Sequence, residues 1–454
     1  MKPDLYLRNG TVITETGAFH GGVVAADGVI TQVVTDTPTI DAAETIDLQG
    51  KWLLPGLVDG HVHFNEPGLE KWERYCTGTR AAAAGGVTTI VDMPLNSTPP
   101  TINLVELERK RTAVQSEAVV DYAHWGGLVN NNLADLAPLH DAGVIGFKAF
   151  MTYAPDFPRV DDDLIHAGME QIQALGNLVA IHAENEYVTA HRARQLQAAG
   201  RRDLAAWPES RPPFQELEAI RRVLYWAGVT GARLHIVHVS IAEGVRTAAQ
   251  AKLEGVSVTV ETCPQYLLLD LEAYERIGPR AKCAPPLRSR AHVEALWDCV
   301  LAGLVDTIGS DHSPCTIQDK EIGYTDIWQA WGGISGVQTL LPGLLTEGVH
   351  RRGLALPLLT RMVAANPARI FGLYPQKGTI LPGSDADLVV VDPDRRWTLT
   401  ADDLYYRNRH SAFTGYPFQG YVERTFVRGV SVCEQGVVTG EPGFGQLLVR
   451  RHPV

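Results

Sequence analysis

The sequence lacks the features of a disulfide-rich, membrane-spanning or nucleic-acid-binding protein. Its six cysteines form no CxxC pair and are scattered along the chain, which argues against a disulfide framework or zinc ribbon and favours reduced thiols. No run of about 18 apolar residues is present, and the start, "MKPDLYLRNG", lacks the apolar core of a signal peptide. A net charge of -12 would repel nucleic acids and anionic membranes. We therefore expect a cytoplasmic protein that binds a small-molecule substrate.

The sequence does contain enough apolar material for one large domain and a smaller one, since 45% of its 454 residues are hydrophobic. Within residues 55–375, β-branched runs such as "GGVTTIVDM" and "NLVAIHAE" alternate with Ala-, Leu- and Arg-rich stretches of helical period. This alternation indicates parallel strands and helices of the α/β class. The length suits one (β/α)8 barrel, although a doubly wound open sheet would give the same local pattern.

The two chain ends have a different pattern. Residues 1–54 contain alternating segments broken by Asn-Gly and Asp-Gly, and residues 376–454 contain similar short runs such as "YVERTFVRGVSVCEQGVV". These features are typical of short strands joined by tight turns. We predict that the two ends together build one small composite β-sandwich beside the barrel.

Several of the strand-like runs end on residues that can bind a metal ion. In chain order these residues are His61 and His63 in "DGHVH", Lys148 in "GFKAF", His182 in "AIHAEN", His238 in "IVHVS" and Asp311 in "GSDHSPC". On a strand, the two imidazoles of an HxH pair point the same way and can reach one ion, although alone such a pair could be hydrogen-bonded core histidines.

The spacing of these residues fits a barrel. The chain from His61 to Asp311 is long enough for seven βα steps of about 36 residues each. This spacing places Lys148 on strand 4, His182 on strand 5, His238 on strand 6 and Asp311 on strand 8. All of them would then meet at the carboxyl ends of the strands, where barrels carry their chemistry.

Lys148 is unusual in this set, because an ammonium between Phe147 and Phe150 is costly to bury unpaired and would repel a cation. One interpretation is a lysine whose head reaches a carboxylate or the solvent. The other is carboxylation by CO2 to N6-carboxylysine, whose two carbamate oxygens can bridge two metal ions. With four histidines and Asp311, this carbamate would complete the ligands of a two-metal hydrolase.

These motifs resemble those of the cyclic amidohydrolases, which include allantoinases, dihydroorotases and dihydropyrimidinases (hydantoinases). The resemblance spans nearly the whole chain and includes "TGTRAAAAGGVTTIVDMPLNSTPPT", "ETCPQY", "PPLR" and "KGTILPGSDADLVVVD". It implies a barrel with a composite β-sandwich, a homotetramer and ring-opening hydrolysis of a cyclic amide. It also implies two divalent metal ions. Zinc is the expected metal, and cobalt, manganese and iron are the alternatives.

Three positions bear on the choice of substrate. Dihydroorotases bind the carboxylate of their substrate through an arginine, an asparagine and a histidine, and here Asn65, Leu95 and Cys315 occupy those positions. We therefore expect a site with few groups that could bind an anion, that is, a site with little to offer an anionic substrate. The motifs "MPLN", "DHSPC" and "WGGISG" resemble allantoinases, which implies hydrolysis of allantoin to allantoate in purine degradation. Dihydropyrimidinase or hydantoinase activity is the alternative, and a non-catalytic scaffold is the least favoured interpretation because all six ligands are present.

The resemblance also implies catalytic roles. A hydroxide bridging the two metals attacks the ring carbonyl, and Asp311 accepts its proton and passes it to the leaving nitrogen. Tyr153, five residues after Lys148, either stabilises the oxyanion or only packs in a loop. The substrate contacts implied by the resemblance are Asn96, Ala284, Trp331 and Gly333.

Overall fold

A closed barrel of parallel strands forms the centre of the protein in its computed structural model, which describes residues 2–154 and 157–450. The eight barrel strands are Leu57–Val62, Val87–Asp92, Asp121–His124, Phe147–Phe150, Leu178–His182, Arg233–Ile236, Val258–Thr262 and Thr307–Ile308. Successive strands pair in parallel, and the short strand Gly126–Gly127 connects the third strand to the fourth. The ring closes where Val62 pairs with His312, beyond the eighth strand. The barrel prediction is therefore confirmed, and the alternative of an open sheet is wrong.

Helices follow the barrel strands and cover them, which explains why runs such as "VTTIVD" are buried along their whole length. The α-helices are Tyr75–Ala84, Leu104–Val114, Leu136–Asp141, Asp162–Ala174, Glu186–Ala198, Ala206–Ser210, Pro213–Thr230, Ala242–Leu253, Pro264–Leu268, Leu271–Ile277, Arg290–Leu301, Ile317–Glu321, Leu340–Gly343, Leu356–Thr360 and Asn366–Ile370. Segments Leu344–His350 and Arg361–Ala365 continue two of them as π-helix. In the part of the chain that the structure describes, none of the helices has the length and apolar character needed to cross a bilayer.

The two chain ends meet in one sheet of nine strands. Its strands are Leu5–Ile13, Ala18–Ala26, Val29–Val34, Glu44–Asp47, Trp52–Pro55, Leu388–Thr398, Pro417–Val427, Val430–Glu434 and Val437–Val438. The N-terminal and C-terminal parts join where Leu388 lies opposite Pro55 in an antiparallel pair. The prediction that both ends build one composite β-structure is confirmed.

Two parts of the C-terminal region leave this sheet and contact the barrel. Residues 403–411, which we call the connector, join the two longest strands of the C-terminal part and bond to loops at the carboxyl end of the barrel. There, the Asn408 amide donates to the carbonyl of Lys71 at 3.0 Å. Residues 444–450 return to the barrel wall, where the Leu448 amide donates to the Tyr122 carbonyl at 2.7 Å.

Candidate active site

The residues predicted to bind metal lie together at the carboxyl ends of the barrel strands. His61 is in the first strand and His63 follows it directly, while Lys148 is in the fourth strand. His182 ends the fifth strand, and two further residues follow the sixth and eighth strands within three positions, namely His238 and Asp311. These are the strand positions that the spacing of the sequence predicts.

His61, His63 and Asp311 form the tightest group, with ligand atoms within 4.8 Å of one another. The Nε2 atoms of His61 and His63 lie 3.3 and 3.5 Å from Oδ1 of Asp311. The other two imidazoles extend the group, because the ring centroids of His238 and His61 are 5.4 Å apart and those of His238 and His182 are 4.4 Å apart. Five side chains therefore surround one small space.

Burial favours the protonation states that a metal site needs. It lowers the pKa of the imidazoles of His61, His182 and His238, so their neutral form is favoured. Burial opposes ionisation of Asp311, but the neighbouring rings of His61 and His63 bring its pKa below the ordinary value. Neutral imidazoles and an ionised carboxylate are the donors that zinc and similar divalent ions bind.

Two buried carboxylates orient the imidazoles. The Nδ1 atom of His61 lies 2.6 Å from Oε1 of Glu261, and Nε2 of His182 lies 2.8 Å from Oε2 of Glu184. If Nδ1 of His61 carries the proton that this contact requires, the lone pair of Nε2 faces the Asp311 carboxylate. Two acceptors that face each other at 3.3 Å repel unless a cation lies beside them, so this geometry fits a metal ion.

Two further buried atoms also fit such ions. Nδ1 of His238 and Nζ of Lys148 have no hydrogen-bond partner among the described residues. Lys148 is fully buried, and its Nζ lies 5.0 Å from the centroid of the Phe150 ring. Burial lowers the pKa of Lys148 to about 8. Unpaired polar atoms of this kind are costly inside a protein, and a metal ion or a carboxylated amine would satisfy them.

The backbone at two of these residues is in the left-handed region, with φ of 41° at His238 and 46° at Asp311. Both residues lie immediately beyond a barrel strand, where the chain turns into a loop. Such conformations cost on the order of 1–3 kcal/mol and persist where the surroundings fix them, often at functional sites. The sequence contains no local signal for this strain.

The imidazoles and Asp311 line a cavity of about 500 Å³. Four of the residues implied by the resemblance also line it, namely Asn96, Tyr153, Ala284 and Trp331. The side chain of Tyr153 is 65% exposed, so it lies at the opening of the cavity. Gly333 is not part of the lining; it packs against Ser313, whose hydroxyl oxygen would be 2.3 Å from an added Cβ.

Aromatic side chains that sequence analysis did not identify form much of the cavity wall. Trp72, Trp207 and Trp328 line the cavity together with Trp331, and the rings of Trp72 and Trp331 are 4.4 Å apart. Each indole N–H has an acceptor, so these tryptophans contribute an apolar wall to the cavity and no free N–H donor. These tryptophans are far apart in the chain, so no local motif could indicate that they meet.

The cavity also contains positive charge, which corrects the expectation of a site with little to offer an anion. Arg211 and Lys282 both line it. The guanidinium of Arg211 is paired with Glu184 at 2.7 Å, and the Lys282 amine donates to backbone carbonyls. An anionic substrate would therefore have to compete with partners that these cations already have.

Comparison with known proteins identifies the family. Residues 52–432 match the sequence profile described as "Amidohydrolase family". The chain belongs to the amidohydrolase family. This amidohydrolase is 48% identical to the allantoinase of Rubrobacter xylanophilus over 443 residues, which cover 97% of this chain and 96% of that one. It is 42% identical to the allantoinase of Solibacter usitatus, with coverage of 97% and 96%.

A solved structure extends the similarity to the whole fold of this amidohydrolase. The L-hydantoinase (dihydropyrimidinase) from Arthrobacter aurescens is 39% identical and superposes with a TM-score of 0.97. The match covers 99% of this chain and 100% of the other chain, so it includes the barrel, the nine-stranded sheet and the connector.

Proposed function

We propose that this amidohydrolase opens the hydantoin ring of allantoin by hydrolysis to give allantoate. The observation that carries the proposal is the convergence of neutral imidazoles and Asp311 on one side of a cavity large enough for a small cyclic amide. The choice of allantoin is supported by allantoinases that are 40–48% identical over nearly the full chain.

We further propose that the site holds two divalent ions and that zinc is the preferred metal. The residues that would hold them are His61, His63, Lys148, His182, His238 and Asp311. When bound, such ions polarise the ring carbonyl and lower the pKa of water from about 15.7 to about 7. The unpartnered ring nitrogen of His238 and the opposed acceptors of His61 and Asp311 support this proposal.

Lys148 would take part as N6-carboxylysine. Its amine nitrogen attacks CO2, an N–C bond forms and the nitrogen loses a proton, which leaves an anionic carbamate. The carbamate would replace an unpaired buried ammonium by a group with two ligand oxygens. A lysine that reaches a carboxylate or solvent is disfavoured, because Lys148 is fully buried and has no ion-pair partner among the described residues.

The chain's own residues would then move the proton and bind the substrate. Asp311 accepts the proton of the attacking water and delivers it to the ring nitrogen as the C–N bond breaks, which yields a carboxylate and a free amide nitrogen. Tyr153 donates to the developing oxyanion. Asn96, Ala284 and Trp331 contact the ring, whereas Gly333 is left out because it does not line the cavity.

Hydantoinase or dihydropyrimidinase activity remains the second candidate, and one observation favours it. The superposed L-hydantoinase (dihydropyrimidinase) has a TM-score of 0.97 over nearly the whole of both chains.

Parallel kinetics on allantoin, hydantoin, dihydrouracil and dihydroorotate with metal-replete enzyme separate these candidates. We expect kcat/KM for allantoin to exceed that for dihydroorotate by at least about 100-fold, because an anion must displace Glu184 from Arg211 or remain unpaired. If hydantoin or dihydrouracil is hydrolysed faster than allantoin, the second candidate replaces the first. If protein with two bound metals hydrolyses none of the four, cyclic amide hydrolysis is refuted.

We also propose a homotetramer. Phe214, Tyr225 and Val229, on the helix Pro213–Thr230, are exposed apolar side chains of the kind that subunit contacts cover. Light scattering should give a mass near four times the monomer mass of 49.5 kDa, and a monomeric mass would contradict the proposal.

A further inference from the structure

Two lysines at the cavity are buried without an acidic partner. Lys282, which lines the cavity, and Lys320, which does not, are 3% and 1% exposed. In the described part of the chain their amines form no ion pair, and their acceptors are backbone carbonyls. Burial lowers the pKa of Lys320 to about 8 and that of Lys282 well below its ordinary value. Burying an amine without an ion pair costs free energy that burying an apolar side chain would not. The feature that distinguishes these two lysines from apolar residues is the hydrogen bonds that their amines donate.

Both amines donate to backbone carbonyls. Nζ of Lys282 lies 2.8 Å from the Ile327 oxygen and 2.5 Å from the Ala330 oxygen. Nζ of Lys320 lies 2.9 Å from the oxygens of Lys282 and Trp331. The four bonds therefore join two stretches of backbone, residues 282–284 and residues 327–332, which are separate in sequence.

Both stretches line the substrate cavity. Lys282 and Ala284 line it from the first stretch, and Gln329, Ala330, Trp331 and Gly332 line it from the second. Trp207 also supports the first stretch, because its Nε1 donates to the Cys283 carbonyl at 2.8 Å and its ring centroid is 4.0 Å from Nζ of Lys282. The separation of the two stretches is therefore part of the cavity shape that a substrate ring must fit.

We propose that Lys282 and Lys320 are positioning residues that hold these two stretches at a fixed separation and thereby determine which cyclic amide the cavity accepts. The inference rests on the proposed function, because that function places the substrate ring between Ala284 and Trp331. Neither lysine needs to contact the reacting atoms, and Lys320 does not line the cavity at all. An effect of Lys320 on selectivity must therefore pass through the backbone that it holds.

The variant Lys320→Met tests the proposal, because methionine fills the space but donates no hydrogen bond. We expect KM for allantoin to rise about tenfold or more while kcat stays within about threefold, since substrate binding loses its fixed geometry before the chemistry does. The ratio of kcat/KM for allantoin to that for hydantoin should fall at least about fivefold. Metal content should equal that of the wild-type enzyme.

Lys252→Met is the matched control, because Lys252 is paired with Asp306 on the surface at 2.8 Å and should leave all these values unchanged. An unchanged KM and an unchanged substrate ratio in folded Lys320→Met would overturn the proposal. Equal loss towards every substrate, or loss of metal, would also overturn it, because it would show a merely structural role. If Lys320→Met does not fold, Lys282→Met and Lys320→Gln are tested for the same changes in KM and substrate ratio. Failure of all three variants to fold overturns the proposal.

The wild-type enzyme tests the proposed function separately. If it hydrolyses hydantoin and dihydrouracil but not allantoin, the proposed function fails. In that case the positioning role is tested by the ratio of kcat/KM for hydantoin to kcat/KM for dihydrouracil. This ratio is compared between Lys320→Met and the wild-type enzyme.

Discussion

Lys148 is the residue at which burial and chemistry conflict most directly. Its amine is fully buried on the apolar strand Phe147–Phe150, yet no described group accepts a hydrogen bond from it. The carbamate that we propose would resolve this conflict, because an anion at this position would attract the cations that the neighbouring imidazoles would hold. The side chain is therefore expected to determine metal content rather than only rate.

We predict that Lys148→Ala loses bound metal and nearly all activity, because the carbamate oxygens that would hold the ions are lost with the side chain. Elemental analysis of the purified variant and its kcat on allantoin measure both effects. Added short carboxylic acids should partly restore metal and activity by replacing the carbamate, while the same acids should leave the wild-type enzyme unchanged. Unchanged metal content in the variant would contradict the prediction.

Tyr153 is the side chain that we propose donates a hydrogen bond to the oxyanion. If its hydroxyl donates to the oxyanion, Tyr153→Phe should lower kcat by roughly 10² to 10³, equivalent to about 2.7–4 kcal/mol. Metal content should not change, because Tyr153 is not one of the residues proposed to hold the ions and phenylalanine keeps the ring. Steady-state kinetics on allantoin and hydantoin check this, and a kcat within about twofold of wild type for both would remove Tyr153 from catalysis.

At the residue scale, the sequence predicts the candidate ligands but not the residues that orient them. His61 and His63 are recognisable because their spacing is local, and the others because each ends or follows a strand-like run. Glu261 contacts His61 only because the first and seventh strands meet at one end of the barrel. Lys282 and Arg211 reach the cavity through long insertions, so the positive charge of its wall could not be predicted from spacing.

Among the elements, the barrel strands are the most predictable and the connector the least. A parallel strand covered on both faces leaves a continuous β-branched run, which is visible in the sequence. The connector, residues 403–411, has no such pattern and acts through contacts with distant loops. Its Asn408 amide donates to the carbonyls of Lys71 and Trp72 at 3.0 and 2.6 Å, and His410 Nε2 lies 2.8 Å from the Cys315 carbonyl.

These contacts imply that the connector holds one side of the aromatic wall. We predict that Asn408→Ala raises KM for allantoin about two- to tenfold, because the loss of two hydrogen bonds worth about 1 kcal/mol each frees the loop that carries Trp72. Metal content and kcat should stay close to wild type. Arg409→Ala is the control, since Arg409 is the exposed neighbour of Asn408. Equal KM values for the two variants would show that the connector does not influence the cavity.

For the whole molecule, a buried charge cluster ties the nine-stranded sheet to the barrel. Nζ of Lys377 lies 2.9 Å from carboxylate oxygens of both Asp385 and Asp387, and it also pairs with Asp121 in the third barrel strand. The guanidinium of Arg428 pairs with Asp121 from the sheet side. Burial opposes the charged form of Lys377, but these carboxylates raise its pKa above the ordinary value. The composition of the two chain ends predicts a shared sheet, but it does not predict this junction.

We predict that Lys377→Met lowers the free energy of unfolding by about 3–5 kcal/mol, because the buried carboxylates of Asp121 and Asp387 and the partly buried one of Asp385 lose their common cation. The decrease in Tm measures the effect, and Lys252→Met, which removes a surface pair worth about 0–1 kcal/mol, is the control. In the wild-type protein, burial raises the pKa of Asp387 and the charge of Lys377 counteracts this effect. Without Lys377, the pKa of Asp387 rises further, so the cost of its ionised form is present at high pH and is relieved as the pH falls and the carboxylate binds a proton. The difference in Tm between Lys377→Met and wild type should therefore be smaller at about pH 5 than at about pH 8.

The cluster lies far from the ligand group in the fold, so the folded variant should keep its metal and its kcat. A decrease in Tm no larger than that of the surface control would show that Lys377 contributes no more to stability than a surface ion pair.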